Sequence, residues 1–270
     1  GHVMKPSDGP IGLFDSGVGG LTVARALARK LPNERLLYFG DTAHLPYGEK
    51  SPEAIRSYAL GISKHLMDQG AKAIVVACNS ASAVALDVLK EELDIPVYNV
   101  IDPVVHYLQR KHAKNIGIWG TRATVASGIY PRKLTEVLPK SEVRPMATPL
   151  LVPVIEENLL KGQVTDAVVQ LYLNDARMHG VEHLVLACTH YPLIASQIAK
   201  QLEEKVHLLR IPTIVANFVA KQLEEGHLLR DRPATESHHF AVSDYTESFE
   251  KISRIFFGKG IHLQEENIWV

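Results

Sequence analysis

Ile11-Gly-Leu-Phe-Asp-Ser-Gly-Val-Gly-Gly20-Leu-Thr-Val-Ala-Arg-Ala-Leu-Ala-Arg-Lys-Leu31 reads as a buried strand, a glycine-rich turn and a helix. A short apolar run that is not followed by alternation, then a segment of helical period, is the mark of a parallel strand covered on both faces by crossover helices. The unit recurs along the chain. Strands are expected at Ile11–Asp15, Leu36–Gly40, Ala73–Cys78, Val97–Ile101, Ile116–Gly120, Val143–Ala147, His183–Cys188, Leu208–Ile211 and Phe240–Ser243. Helices are expected at Leu21–Leu31, Pro52–Gln69, Ala81–Leu93, Pro103–Arg110, Pro131–Val137, Val164–Met178, Ile194–Glu204, Thr213–Glu225 and Ser248–Phe257. Nearly one helix per strand makes this an α/β protein. Asp102-Pro103 and Ile211-Pro212 are the candidate crossings between domains, and Glu225–His239 reads as a polar surface excursion.

The composition narrows the function classes. In 270 residues, 46% hydrophobic and 22% charged, 29 Lys+Arg stand against 30 Asp+Glu. That length suits one large or two small domains, and the missing basic excess argues against a nucleic-acid partner. No apolar run reaches the roughly 18 residues of a membrane span, and no signal pattern opens the chain, so a cytoplasmic location is expected. Gly1, His2 and Val3, ahead of Met4, read as a remnant outside the fold. Two cysteines 110 positions apart make neither a disulfide framework nor, alone, a four-ligand zinc site, and no metal is expected.

Ligands of open α/β sheets bind beyond the carboxyl ends of strands. The residues there are Asp15-Ser16, Asp41-Thr42, Cys78-Asn79-Ser80, Asp102, Thr121 and Cys188-Thr189-His190. Both cysteines fall at this edge. One reading makes them small hydrophobes that end buried strands. The other makes them two thiols facing one ligand, each ahead of a predicted helix whose positive end would lower its pKa. Two such groups on opposite sides of a carbon, one thiolate and one thiol, would invert its configuration. Ala73–Ser80 and Leu184–His190 echo one another as apolar strand, Ala, Cys and a polar pair, consistent with two related halves.

The turn Asp15–Gly20 lacks a Walker Lys and has Thr22 where a dinucleotide motif has its third glycine. It is either a tight strand-to-helix connection or an anion cradle, with Asp15 as a carboxylate for orienting or proton work. His190 can polarise or protonate a neighbour. Glu156, after an apolar stretch, reads by itself as a helix-start carboxylate.

Four motifs, Phe14-Asp-Ser-Gly-Val-Gly-Gly20, Leu45-Pro-Tyr-Gly48, Ala77-Cys-Asn-Ser-Ala-Ser82 and Ala187-Cys-Thr-His-Tyr-Pro192, in this order and spacing, resemble the glutamate racemases, and the resemblance runs from about Ile11 to Phe257. It implies two similar α/β domains with mainly parallel sheets and the active site in the cleft between them, residues 4–101 plus 213–270 forming the first and 102–212 the second. It implies a cofactor-independent, two-thiol interconversion of L- and D-glutamate that supplies peptidoglycan synthesis, a small-molecule substrate, and a homodimer. Cys78 matches the base associated with D-glutamate and Cys188 the one associated with L-glutamate. Asp15 matches the helper of the first thiol, and His190 and Glu156 those of the second. Asp15, Ser16, Tyr47, Gly48, Asn79, Ser80, Thr189 and His190 match substrate-binding positions, with Thr121 and Thr124 as lesser candidates. Where the family commonly has Thr after Cys-Asn this chain has Ser80, which keeps the hydroxyl and loses a methyl. The rivals are an aspartate racemase of the same superfamily, a non-catalytic amino-acid sensor, and a thiol redox protein whose sulfurs lie within disulfide reach.

Overall fold

The computed structural model describes residues 4–157 and 162–270, so Gly1–Val3 lie outside it. The strands are β1 (Ile11–Asp15), β2 (Leu36–Gly40), β3 (Ala73–Val76), β4 (Val97–Asn99), β5 (Asn115–Gly120), β6 (Glu142–Ala147), β7 (His183–Ala187), β8 (His207–Leu208), β9 (His239–Val242) and β10 (Gln264–Glu265). They form two sheets, both wholly parallel, in the orders β10-β9-β2-β1-β3-β4 and β6-β5-β7-β8. The chain builds the first sheet to β4, makes the second, and returns with β9 beside β2 and β10 beside β9. Among the described residues the helices are α1 (Leu21–Lys30), α2 (Pro52–Asp68), α3 (Asn79–Val84), α4 (Leu86–Glu92), α5 (Asp102–Arg110), α6 (Arg122–Ser127), α7 (Ile129–Val137), α8 (Leu151–Glu156), α9 (Gln163–Leu173), α10 (Ala195–Gln201), α11 (Ile211–Glu225) and α12 (Glu247–Phe256).

Strand alternation divides the core. Ile11, Leu13, Leu36, Tyr38, Ala73 and Val75 face a cluster continuous with the second sheet. Phe14, Leu37, Phe39, Ile74 and Val76 face Ile55, Ala59, Ile62 and Leu66 of α2. Every residue of β1, β2 and β3 is buried, which is why these strands carry no polar alternation in sequence. No helix is long and apolar enough to cross a membrane among the described residues.

Several boundaries differ from the sequence reading. β3 stops at Val76 and Cys78 becomes the N-cap of α3, its sulfur accepting the Ala81 N–H at 3.5 Å. β4 stops at Asn99 because its side-chain Oδ1 accepts the N–H groups of Ile101 and Asp102, both at 2.8 Å, turning the chain into α5. The expected helix 81–93 breaks at Ala85 into α3 and α4. β8 covers only His207–Leu208, because α11 already begins at Ile211 with Pro212 in its first turn. A short 3₁₀ turn, Tyr191–Ile194, comes before α10. Helices α6 and α8 and strand β10 are additions. Pro153 inside six-residue α8 reads as a breaker, yet it sits early enough in the helix to be tolerated. Glu156 ends α8 and does not start a helix.

Candidate active site

The carboxyl ends of the two sheets face one another across a cavity of about 330 Å³, small among ligand pockets of about 300–1,000 Å³. The first sheet contributes Asp15 and Ser16 after β1, Tyr47 and Gly48, and Cys78, Asn79 and Ser80 after β3. The second contributes Thr121 after β5, Thr148 after β6, and Cys188, Thr189 and His190 after β7. Leu45, Pro46, Pro149, Leu150, Val152 and Pro153 make much of the remaining wall. Both cysteines are free and buried.

The loops close tightly over one another. A Cβ at Gly19 would stand 2.5 Å from His190 Nδ1, and one at Gly48 would stand 2.7 Å from Thr121 Cβ. The glycines are thus required by the approach of the opposite sheet. Ser80 Oγ and Thr121 Oγ1 pair at 2.8 Å across the cleft, and the Thr22 hydroxyl donates to the Thr189 carbonyl at 3.2 Å. At the rim, exposed Arg122 and Glu49 pair at 2.8 Å.

Two N–H groups of the glycine-rich turn are taken by Asp15. Asp15 Oδ2 takes those of Gly20 at 2.8 Å and Gly17 at 3.3 Å, and Asp15 Oδ1 accepts the Thr189 hydroxyl at 3.4 Å. Asp15 is therefore a carboxylate held between the two sheets, 1% exposed.

The two thiols have different electrostatic surroundings. Burial, then the Asp15 carboxylate, pushes the Cys78 thiol well above its ordinary value, against the N–H groups of Ala81 and Ser80, with Cys188 adding to the rise. The expected lowering by the helix end is therefore overridden by burial at Cys78. Cys188 Sγ lies 3.9 Å from His190 Nδ1, and His190 Nε2 is bonded to Glu156 Oε1. Burial alone would depress the His190 pKa, but Cys188 and then Glu156 outweigh it and raise it well above the usual imidazole range. The Cys78 thiol is thus pushed up beside a carboxylate, and Cys188 faces an imidazole whose pKa is raised.

A family model described as Asp/Glu/Hydantoin racemase matches residues 20–219. A glutamate racemase of Geobacter metallireducens is 41% identical over 249 residues, 92% of each chain. Among solved structures, a glutamate racemase of Bacillus anthracis superposes with a TM-score of 0.90 at 35% identity, covering 96% of this chain and 97% of that one. One of Francisella tularensis, in complex with D-glutamate, gives 0.89 at 34% identity, covering 97% and 99%. The chain belongs to the Asp/Glu/hydantoin racemase family.

Not all the residues singled out from sequence line the cavity of this family member. Thr124 is buried behind it, its hydroxyl meeting Thr121 Oγ1 at 3.2 Å and Ser80 Oγ at 3.4 Å, so it braces those two hydroxyls. Glu156 stands behind His190. Tyr47 lines the cavity, but its hydroxyl donates to Asp41 Oδ2 at 2.6 Å. Asn79 Oδ1 accepts the Tyr130 hydroxyl at 2.7 Å, which leaves its amide hydrogens for a ligand. Asp102, also named at a strand end, pairs with Lys133 at 2.7 Å, away from the cavity. Sequence reasoning passed over Thr148, which carrying the strand-edge rule to β6 would have found, and the rim pair Arg122–Glu49, for which there was no local signal.

Proposed function

We propose that this chain is a cytoplasmic glutamate racemase that interconverts L- and D-glutamate with two thiols and supplies D-glutamate for peptidoglycan. The observation that carries the reading is that two free cysteines, one from each sheet, line one cavity. A glutamate between them exposes its α-hydrogen to one sulfur and the opposite face to the other. Cys78 is the base for D-glutamate and Cys188 for L-glutamate. In each turnover one thiolate takes the α-proton and the other thiol delivers a proton to the far face, so the protonation states of the pair exchange.

An α-proton of an amino acid is far less acidic than a thiol, so the developing carbanion must be stabilised electrostatically. Ser16, Asn79, Ser80, Thr121 and Thr189, with the backbone at Tyr47 and Gly48, offer donors to the two carboxylates. Asp15 acts on Cys78, and His190, held by Glu156, acts on Cys188. Thr124 serves from behind by fixing Ser80 and Thr121. The domain division that goes with this reading is 4–101 plus 213–270 against 102–212, and the enzyme works as a homodimer.

Enzyme incubated in deuterium oxide with either enantiomer tests the reading, with circular dichroism following configuration and proton NMR following the α-position. Glutamate loses optical activity as solvent deuterium enters. Cys78→Ser and Cys188→Ser each lower racemisation by about 10²–10⁴-fold, the range for removing a positioned acid or base. Unchanged turnover in both variants, or turnover of aspartate but not glutamate, would overturn it.

A further inference from the structure

Asp41, the residue after β2, is wholly buried, and its carboxylate collects four partners. Oδ2 accepts the Tyr47 hydroxyl at 2.6 Å and lies 2.8 Å from His44 Nδ1. Oδ1 accepts the Ser243 hydroxyl and the Trp269 indole N–H, both at 2.8 Å. One of these residues is in the cavity wall and another is 228 positions beyond Asp41. The substrate-facing groups leave this cluster unexplained.

Trp269 is seated with care. Its ring meets Tyr58 edge-on at 5.7 Å and His44 at 5.1 Å. Beneath it, Gly61 lies in the interior of α2, where glycine is disfavoured relative to alanine. A Cβ there would stand 2.8 Å from Cζ3 and 2.9 Å from Cη2 of Trp269, the two atoms it would meet. The segment leading to Trp269 is tied down as well. β10 pairs with β9, the Glu266 N–H donates to the Val242 carbonyl at 2.8 Å, and the Glu266 carboxylate bridges His65 at 3.2 Å and His239 at 2.6 Å.

On the cavity side there is little slack. Tyr47 begins a 3₁₀ turn through Glu49, and this turn lies hard against Thr121, whose Cβ would stand 2.7 Å from a Cβ at Gly48. The position of the turn therefore sets how far apart the cavity walls stand. Burial and the neighbouring Asp41 keep the Tyr47 phenol protonated, so it remains a donor.

Resting on the racemase reading, we propose that Trp269 is a positioning residue for the substrate cavity: its indole N–H fixes Asp41, which holds Tyr47 and the 47–49 turn, and Gly61 is small in order to seat it. Trp269→Phe keeps a ring and removes the N–H. Gly61→Ala favours the helix and leaves the indole intact, but pushes on it from below. Each raises KM for both enantiomers about tenfold, as loss of a donor to a buried carboxylate allows, while kcat changes less than about threefold. Because the proposed coupling runs through Tyr47, Trp269→Phe combined with Tyr47→Phe costs little more than Tyr47→Phe alone. KM within about twofold of the parent in both single variants, or a double variant whose loss equals the product of the two singles, would overturn the assignment. A parent enzyme that fails to racemise glutamate would instead defeat the reading on which it rests, and the assignment with it. An active parent with unaltered variants defeats the positioning role alone.

Discussion

Replacing Gly19 by alanine adds one methyl group where a loop of the first sheet lies tight against His190 and Thr189 of the second. Its carbon would lie 2.5 Å from His190 Nδ1, 2.8 Å from His190 Cε1 and 2.7 Å from Thr189 Oγ1. Ordinary contact begins near 3.5 Å, so one side must retreat by about 1 Å. The turn cannot do so freely, because Gly17 and Gly20 are bonded to Asp15 on either side of it. The other loop is pinned by the Thr22 hydroxyl on the Thr189 carbonyl, and the second nitrogen of His190 is engaged by Glu156. The displacement therefore falls on the nitrogen that faces Cys188 at 3.9 Å. Misplacing a catalytic group by about 1 Å costs on the order of 10²-fold in rate, or about 2.7 kcal/mol of barrier. Overpacking of this kind also costs the fold about 1–3 kcal/mol. The assay is racemisation of each enantiomer by circular dichroism, with thermal melting alongside. Enantiomers have equal energies in water, so kcat/KM must fall by the same factor in both directions, which gives an internal control. A folded Gly19→Ala variant with kcat/KM within about threefold of the parent would refute the argument that the close approach of the loops sets the geometry of the second thiol.

Two further outcomes follow from the unequal surroundings of the thiols. Glu156→Gln removes an influence that raises the His190 pKa and leaves burial, which lowers it. The imidazole then loses its proton at lower pH, so the alkaline limb of the kcat/KM profile moves to lower pH; a limb that stays in place or moves up would contradict the role of Glu156. Cys78, whose thiol burial and Asp15 push up, should be alkylated by iodoacetamide more slowly than a free cysteine at neutral pH, as peptide mass spectrometry would show, and labelling at the rate of free cysteine would count against that assignment.

Strands β1, β2, β3, β5 and β7 were legible because burial on both faces leaves short, largely apolar runs without polar alternation. β8 and β10 have two residues each and carry no such signal. α6 and α8 are shorter than two turns of periodicity, so their evidence is local: the Thr121 hydroxyl capping the Thr124 N–H at 3.2 Å, and left-handed Gly128 ending α6. The strand-edge rule located Asp15, Cys78, Thr121 and Cys188 because it depends on topology alone. It could not say which polar group faces the cavity and which is consumed internally. Asp15 and Gly20 satisfy one another, and Asp41 is claimed by a tryptophan far along the chain. Such pairings arise only when distant segments meet, and no periodicity or propensity reports them.

The sheet orders explain why two thiols should meet at all. Reading β6-β5-β7-β8 against the β2-β1-β3-β4 portion of the first sheet matches each strand with one at the same place in chain order. Cys78 follows β3 and Cys188 follows β7, the corresponding strands, so the echo between Ala73–Ser80 and Leu184–His190 reflects equivalent positions in two similar frameworks. When such frameworks face one another carboxyl edge to carboxyl edge, equivalent residues come to opposite sides of the shared cavity. On the racemase reading inversion needs one sulfur with a proton and one without, and each turnover exchanges the two states. The neighbours of the two sulfurs differ: burial and a carboxylate push the Cys78 thiol up, while an imidazole of raised pKa, backed by Glu156, stands at Cys188. The fold thus places two like groups in opposition, and on the racemase reading the enantiomer that is bound sets which of them must act as the base.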